Sequence, residues 1–496
     1  MGWYVEHNPD RHPDAVWQRG EEWRLTIAEK KRILTTHIFG VDIDRQAVEV
    51  TKLSLLLKVL EGESTQTLQM ALPGFQERAL PNLDNNIKCG NSLIGPDYFT
   101  GQLMPNTDEL RHVNPFDWAT QFPDAMKAGG FDCIIGNPPY IRIQTMKEWA
   151  PLEVEIYKEL YESASAGNYD IYVVFVEKAL SLLNKRGRLG FILPHKFFNA
   201  QYGEPLRGLV AQGKHLAQVV HFGDQQVFAG ATTYTCLMFL DKAGRDECQL
   251  AKVDDLTAWR ATGQATEGTI PAANITAAEW NFAVGKGAAL FERLSEMPVK
   301  LGDVTARMYQ GPITSADTVY LFKDFRTGKK KNTTKVFSKE LDMWVAIESC
   351  ILKCVVRSGD IRRYSAEGTA LVLFPYEVED TSARLFSPSE MQREYPLAWD
   401  YLNRNKKLLE NREKGKFKDA QWYRFGRTQN LGMWERPKLM IPYMTTELAA
   451  YLDRSDNYYF INVTTGGYGI TSDESSGQLA YLCGLLNSQL LDFYFN

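Results

Sequence analysis

The sequence Phe131-Asp132-Cys133-Ile134-Ile135-Gly136-Asn137-Pro138-Pro139-Tyr140 joins a short apolar run to a turn with two consecutive prolines. The apolar run predicts a buried strand that ends at Gly136. The prolines fix φ and remove two backbone donors, so the carbonyl groups before them lack a ladder partner and face outward. The Asn137 side-chain oxygen and the Pro138 carbonyl can then accept the two hydrogens of a planar NH₂ group, while the Tyr140 ring stacks on its face.

The composition is that of a globular chain with enough residues for two or three domains. The 496 residues carry a net charge of −5, so binding to nucleic acid would depend on local basic patches. The seven cysteines form no Cys-x-x-Cys pair, and Cys350 and Cys354 have no histidine nearby, so we expect mostly reduced core thiols and no metal site. No apolar run reaches about 18 residues, which indicates a cytoplasmic protein without a membrane span.

Two stretches upstream of the turn also predict strands that end in polar residues. His37–Asp44 is an apolar run that ends in two acids, and the spacing of Arg45–Leu60 predicts a helix after it. In a doubly wound sheet an acid at the end of the second strand can hold ribose hydroxyls, which suits Asp42. Asp44 suits the N-cap of the following helix. Asn86–Leu93 predicts the third strand.

The chain downstream of the turn also contains predicted helices and strands. The spacing of Asn168–Leu180 predicts a helix, and Gly187–Pro194 and Leu216–Phe222 predict buried strands. The stretch Val227–Leu240 predicts an aromatic turn followed by a strand rich in aromatic and β-branched residues. We therefore expect an α/β sheet, mostly parallel, with a terminal hairpin.

The Asn-Pro-Pro-Tyr turn, together with the order of these strands, resembles the amino-directed DNA methyltransferases, chiefly those that make N6-methyladenine. The resemblance implies a Rossmann-like sheet that binds S-adenosylmethionine, with the reaction at the turn. The implied catalytic residues are Asn137, Pro138, Pro139 and Tyr140. The implied base-stacking residues are Tyr140 and Phe228, with Tyr234 as the rival of Phe228. The implied cofactor-binding residues are Asp42, Ile43, Asn91, Ser92 and Asn137.

Three positions depart from the family pattern or allow a second interpretation. The family presents an Asp where this chain has Asn91, whose amide can still contact the adenine edge. Tyr169 and Asp170 resemble residues that close the cofactor pocket, but a helix cap with core aromatics explains them equally well.

The glycine-rich segment that the family places after its first strand is absent, since residues 1–40 contain no Gly-x-Gly. We therefore expect the first strand of the sheet to be missing and the sequence to be truncated at its beginning. The final helix, 485–495, stops abruptly where the family's region continues, so we expect truncation there as well.

The second half resembles the target-recognition region of type IIG restriction–modification proteins, and it predicts a mixed α+β domain. Lys330 and Lys331 lie in a basic turn, and Arg424 and Arg427 alternate with aromatic rings, a chemistry suited to phosphates and base edges. We expect an N-terminal helical remnant at 1–36, a catalytic domain at 37–242, a linker at 243–284 and a DNA target-recognition domain at 285–496.

The implied function is methylation of adenine N6 in duplex DNA as part of a restriction–modification system. A nuclease domain could lie on a missing N-terminal part, but this chain contains no convincing Pro-Asp…Glu-x-Lys set, so no cleavage is assigned to it. Two alternatives stay open: a catalytically inactive DNA-binding specificity module, favoured by the missing glycine-rich loop, and a methyltransferase of a non-DNA amine.

Overall fold

The computed structural model describes residues 2–7, 10, 12–62, 81–99, 107–228, 230, 233–285, 287–379, 382–443, 445–454, 458–461, 466–472 and 476–495. The chain divides into two compact units, Met1–Ala288 and Ala289–Asn496.

The described part of the first unit alternates strands and helices. Its strands are β1 (Val16–Arg19), β2 (Glu22–Leu25), β3 (Gly40–Asp42), β4 (Ile87–Cys89), β5 (Phe131–Gly136), β6 (Leu183–Pro194), β7 (Leu216–His221), β8 (Thr235–Asp241), β9 (Glu247–Lys252) and β10 (Thr266–Pro271). Its helices are α1 (Gly2–Glu6), α2 (Ile27–His37), α3 (Arg45–Leu60), α4 (Thr107–Val113), α5 (Trp118–Gln121), α6 (Pro123–Lys127), α7 (Ile143–Met146), α8 (Pro151–Leu160), α9 (Tyr172–Leu182), α10 (Glu204–Gln212) and α11 (Leu256–Thr262).

Six strands form a mixed sheet in the order β10-β9-β7-β8-β6-β5. The pairs β5–β6 and β7–β9 are parallel, and the other pairs are antiparallel. The Rossmann-like α/β fold expected from the sequence is confirmed, although the sheet is more mixed than a parallel sheet with one hairpin. Helix α9 is apolar on nearly every side and lies in the core with β6 and β8, as expected of a buried helix.

The pair β3–β4 is parallel and forms a separate two-stranded sheet in the described residues. Within the same residues, β5 pairs only with β6, so its other edge is open. Cys133 is exposed on this strand and Ile135 is 82% exposed. The prediction of a buried strand was therefore wrong, because in the described residues β5 is an edge strand with exposed apolar side chains.

Two further expectations for the first unit were wrong. The helical remnant at 1–36 contains the antiparallel hairpin β1–β2, which turns at Gly20 with φ +64°, and helix α2 begins only after the Thr26 N-cap. The stretch 243–284 is no bare linker, because β9 and β10 extend the six-stranded sheet. Cys248 and Leu250 are buried by that pairing, which the Ala/Thr/Gly-rich composition does not reveal.

The second unit is a mixed α+β unit of small antiparallel sheets. Its described strands are β11 (Arg307–Gln310), β12 (Leu321–Phe322), β13 (Phe325–Thr327), β14 (Thr333–Ser338), β15 (Met343–Glu348), β16 (Leu352–Val355), β17 (Ile361–Arg362), β18 (Ser365–Ala366), β19 (Ala370–Leu373), β20 (Tyr376–Glu379), β21 (Ser382–Leu385), β22 (Lys438–Ile441), β23 (Tyr451–Asp453) and β24 (Tyr468–Thr471). The described helices are α12 (Ala288–Ser295), α13 (Asp317–Tyr320), α14 (Pro388–Glu394), α15 (Pro396–Arg404), α16 (Lys406–Gly415), α17 (Ser476–Leu486) and α18 (Gln489–Phe495).

The largest sheet of this unit has the order β11-β24-β22-β23, and β13-β14-β15 forms a three-stranded sheet. The core is rich in aromatic rings, including Tyr320, Phe374, Tyr401, Trp434 and Phe460. Helix α16 is interrupted at Arg412–Lys414, where the backbone leaves the helical region.

Of the seven cysteines, only Cys236, Cys248 and Cys483 are buried, so the expectation that most lie in the core was wrong. In the described part of the chain, every helix is too short or too polar to cross a membrane.

Candidate active site

The double-proline turn lies where β5 and β6 end side by side. Gly136 pairs with Phe191 in the parallel register, so Asn137–Tyr140 leaves the sheet beside the last residues of β6. Asn137 and Pro139 are exposed, whereas Pro138 is buried. Among the described residues, no hydrogen-bond partner is found for the Asn137 side chain. The amide therefore stands at the carboxyl edge of the sheet with its polar atoms open to a ligand.

Tyr140 is held in a fixed orientation next to this amide. Its hydroxyl donates a hydrogen bond to the Ile192 carbonyl at 3.0 Å, and its ring packs edge-on against Tyr172 with 6.4 Å between centroids. Burial raises the pKa of Tyr140 to about 12, so the phenol is neutral at physiological pH. The ring is half-buried, which leaves one part of its surface free for stacking.

Two histidines that were not predicted from the sequence lie at the same edge. His195 directly follows β6 and His221 ends β7, with 4.4 Å between the ring centroids. Burial lowers the pKa of both rings, and the neighbouring His195 contributes to the value of about 4 for His221. Each histidine ends an apolar strand in the sequence, but their proximity depends on β7 and β6 both flanking β8.

The two candidate aromatic residues for the far side of the base are both accessible. Phe228 is 36% exposed and Tyr234 is 46% exposed. The Tyr234 ring lies nearly parallel to His195, with 6.4 Å between centroids. Residues 229, 231 and 232 lie outside the described residues, and the sandwich of a base between Tyr140 and either ring stays a prediction.

The end of β3 presents two of the predicted cofactor-binding residues. Asp42 and Ile43 are both exposed, and the Asp42 carboxylate accepts a hydrogen bond from the Asp44 backbone amide at 2.8 Å. The Asp44 carboxylate accepts from the Gln46 amide at 2.8 Å, which confirms its prediction as the N-cap of α3. An exposed acid followed by an exposed apolar side chain fits a ribose and the adjacent face of an adenine.

The loop after β4 is less open than the sequence suggested. Asn91 is buried, and its side-chain oxygen accepts a hydrogen bond from the Leu93 amide at 3.1 Å. The Ser92 carbonyl accepts from the Trp118 indole at 3.0 Å. In this arrangement Asn91 shapes its own loop, and contact between its amide and a cofactor stays a prediction.

Tyr169 and Asp170 precede α9 without capping it. Tyr169 is a buried core residue, and the N-cap position is Ile171, which provides no side-chain cap. Burial raises the pKa of Asp170, whose carboxylate accepts a hydrogen bond from the Tyr202 hydroxyl at 3.4 Å. The cap interpretation was therefore wrong, while the core interpretation of Tyr169 is confirmed.

In the second unit, Lys330 and Lys331 are exposed in the turn of the β13–β14 hairpin and line a cleft of about 700 Å³. Arg326 on the same hairpin lies over the Trp344 ring, 4.2 Å from its centroid. This surface combines cations with an accessible ring, as nucleic-acid surfaces commonly do.

The other predicted DNA-binding segment, Trp422–Arg427, is mostly interior. The rings of Trp422, Tyr423 and Phe425 are buried. Arg424 pairs with Asp419 at 2.6 Å and lies over Phe417. Only Arg427 is exposed among the polar residues of the segment, because Arg424 is engaged within the unit.

Comparison with known proteins gives a consistent result. The sequence model of the Eco57I restriction-modification methylase family matches residues 36–228. The type II restriction enzyme and methyltransferase RM.Eco57I of Escherichia coli is 29% identical over 492 residues, covering 95% of this chain and 46% of that protein. The type II methyltransferase M.PaeR7I of Pseudomonas aeruginosa is 26% identical over 378 residues, covering 72% of this chain and 59% of that protein.

The chain spans about half the length of the curated relatives that it matches. Among solved structures, the type IIL restriction-modification enzyme MmeI in complex with DNA is similar, with a TM-score of 0.51 and 15% identity. The similarity covers 93% of this chain and 59% of that chain, and at this identity it indicates a shared fold.

Proposed function

We propose that this protein transfers a methyl group from S-adenosylmethionine to adenine N6 in duplex DNA, because the sequence model of the Eco57I restriction-modification methylase family matches residues 36–228. The substrate would be a specific site protected within a restriction–modification system. The observation that carries the proposal is the exposed, unengaged Asn137 amide beside the fixed Tyr140 ring at the carboxyl edge of the sheet.

The chemistry requires activation of a poor nucleophile. The lone pair of an adenine amino group is delocalised into the ring, so the nitrogen must move toward tetrahedral geometry before it can attack. The Asn137 side-chain oxygen and the Pro138 carbonyl would accept its two hydrogens and stabilise the positive charge that develops on the nitrogen. Transfer would form a bond between N6 and the methyl carbon, break the bond between that carbon and sulfur, and release the amino proton to solvent.

The target base must leave the duplex to reach this turn, which costs a few kcal/mol. Stacking on the Tyr140 ring would offset part of that cost, at about 1–3 kcal/mol for each base–ring stack. Phe228 or Tyr234 would contact the opposite face of the base, since both rings are accessible.

The cofactor would supply an electrophilic methyl group on a sulfonium. The exposed residues Asp42 and Ile43 would hold its ribose and adenine, and Asn137 would lie near its methyl group. We propose Asn91 and Ser92 only as the loop that borders the adenine, because the Asn91 side chain is engaged with the Leu93 amide.

For DNA binding, we propose phosphate contacts by Lys330, Lys331 and Arg427, the exposed cations of the predicted set. Arg424 is better explained as a structural residue, because it is paired with Asp419. The name of RM.Eco57I includes both a restriction enzyme and a methyltransferase. For this chain we propose only the methyltransferase activity.

The test is methyl incorporation into duplex DNA by the Asn137→Ala variant. We expect a rate loss of about 100-fold or more, since a comparable loss follows removal of one transition-state hydrogen-bonding group elsewhere. DNA binding should stay at the wild-type level, because Asn137 lies in no described contact that supports the fold. Asn85→Ala, another exposed asparagine of the first unit, should retain the wild-type rate.

Wild-type incorporation by Asn137→Ala would refute the role of the turn. DNA binding without any methylation by the wild-type chain would instead support the inactive specificity module.

A further inference from the structure

A second cleft in the second unit lies beside β11 and has no role in the reaction described above. It encloses about 550 Å³ and is bordered by Met308 and Gln310 of β11, by Gln429 and Asn430, and by Tyr468 of β24. Tyr309 also lines the cleft, but it is buried and its ring packs against Phe460 in the core.

The two sides of this cleft are tied together by Asn430. Its backbone is left-handed, with φ +62°, a conformation that asparagine tolerates better than most residues. Its side-chain NH₂ donates a hydrogen bond to the Gln310 carbonyl at 3.0 Å. The Tyr309 hydroxyl donates to the Met433 carbonyl at 3.0 Å, so the segment that follows Asn430 is fastened to β11 a second time. These bonds fix the spacing between the segments that carry Gln310 and Gln429 along the same cleft.

The accessible chemistry of the cleft matches base edges. Gln310 and Gln429 are exposed, and within the described residues neither side-chain amide has a hydrogen-bond partner. A glutamine amide can pair with the N6 and N7 positions of adenine through two hydrogen bonds. Met308 is 53% exposed and offers an apolar surface, the kind of surface that contacts a thymine methyl group.

The electrostatics of the cleft also suit DNA. The cleft contains one charged residue, Arg307, and no acid. The exposed Arg427 lies two residues before Gln429 in the sequence, so a phosphate contact could be placed close to the two amides.

We propose that Gln310 and Gln429 read base-pair edges of the target DNA and so determine one part of the recognised sequence. Asn430 is the positioning residue that fixes their spacing. This inference rests on the proposed function, because it requires the second unit to engage DNA.

The experiment selects bound duplexes from a random pool with the full chain and compares the enriched sequences. Gln310→Ala and Gln429→Ala should each weaken the preference at one or two adjacent positions by roughly ten-fold, leaving the other positions unchanged. Asn430→Gly keeps the left-handed backbone and removes the tether, so it should broaden the preference at those same positions. Gln421→Ala, an exposed glutamine elsewhere in the unit, should select the wild-type sequence.

If both glutamine variants enrich the complete wild-type sequence with unchanged preference, the inference is wrong while DNA recognition stands. If the wild-type chain enriches no sequence, DNA recognition itself fails, and this inference fails with it.

Discussion

Two motifs that combine polar groups with aromatic rings take opposite positions in their units. Asn137–Tyr140 stands at the open end of β5, with its amide exposed, whereas the rings of Trp422–Arg427 are buried. The difference has a physical cause. Consecutive prolines cannot donate to a sheet, so they end β5 and turn the chain outward. Rings that alternate with arginines have no such constraint, and burying them removes a large apolar area from water.

The buried motif is supported by an arginine outside it. The Arg412 guanidinium donates hydrogen bonds to the carbonyls of Leu409, Thr314, Trp422 and Arg424 at 2.6–2.9 Å. It also lies over the Phe417 ring, 4.2 Å from its centroid. A cluster of arginines and rings can therefore be a folding element as readily as a binding surface.

The largest expected effect tests this structural role. Arg412→Ala should lower the free energy of unfolding of the second unit by about 3 kcal/mol or more, because it leaves several buried carbonyls without a donor. Chemical denaturation followed by tryptophan fluorescence measures this loss. Arg427→Ala, the matched exposed arginine, should change the free energy by no more than about 0.5 kcal/mol. Equal losses of free energy in the two variants would show that Arg412 supports the fold no more than an exposed arginine does.

A second prediction is that the stability of the two units depends differently on pH. All seven histidines lie before residue 289, and burial lowers the pKa of His221 from 6.5 to about 4. The folded state then binds fewer protons than the unfolded state. The contribution of His221 to the free energy of unfolding is therefore fully present above about pH 6.5 and is lost as the pH falls toward 4. We expect the first unit to lose about 2–3 kcal/mol over that range.

The measurement is acid unfolding of the wild-type protein and of His221→Gln. The variant should flatten the pH dependence of the first unit while leaving the second unit unchanged. The same acid midpoint in both proteins would show that the histidine pair does not govern this transition.

A third prediction examines the exposed motif itself. Tyr140→Ala should reduce methyl transfer by about ten- to 100-fold, because the base loses a stack of about 1–3 kcal/mol. Tyr140→Phe keeps the ring and loses only the hydrogen bond to Ile192, so its rate should stay within about ten-fold of wild type. Single-turnover methylation of duplex DNA provides the rates, and an unimpaired Tyr140→Ala variant would remove the ring from the mechanism.

The smallest expected effect concerns the two arginines at the end of the buried motif. Arg427→Ala should weaken DNA binding a few-fold and reduce the slope of log affinity against log salt by about 1. Arg424→Ala should leave that slope unchanged, because Arg424 is occupied by Asp419 and Phe417. Titrations at several salt concentrations distinguish the two, and a reduced slope for Arg424→Ala would contradict the assignment.

Sequence patterns located the features that are fixed by neighbours along the chain. The end of β5, the Asp44 cap and the helix after β3 follow from prolines, a capping side chain and helical spacing. Features that depend on distant pairing were missed. Strands β9 and β10 contain few large aliphatic residues and exist because β7 offers an edge to β9. The contact of His195 with His221 likewise requires the strand order of the folded sheet.

The open edge of β5 has a consequence for handling the protein. In the described residues the backbone groups on this edge are unpaired, and beside the exposed Ile135 side chain they form a template to which a strand of another copy can add. The Asn137 turn would then lie at the seam between two molecules, closed to substrate. Specific activity should therefore decline as protein concentration rises, and Ile135→Lys should restore it.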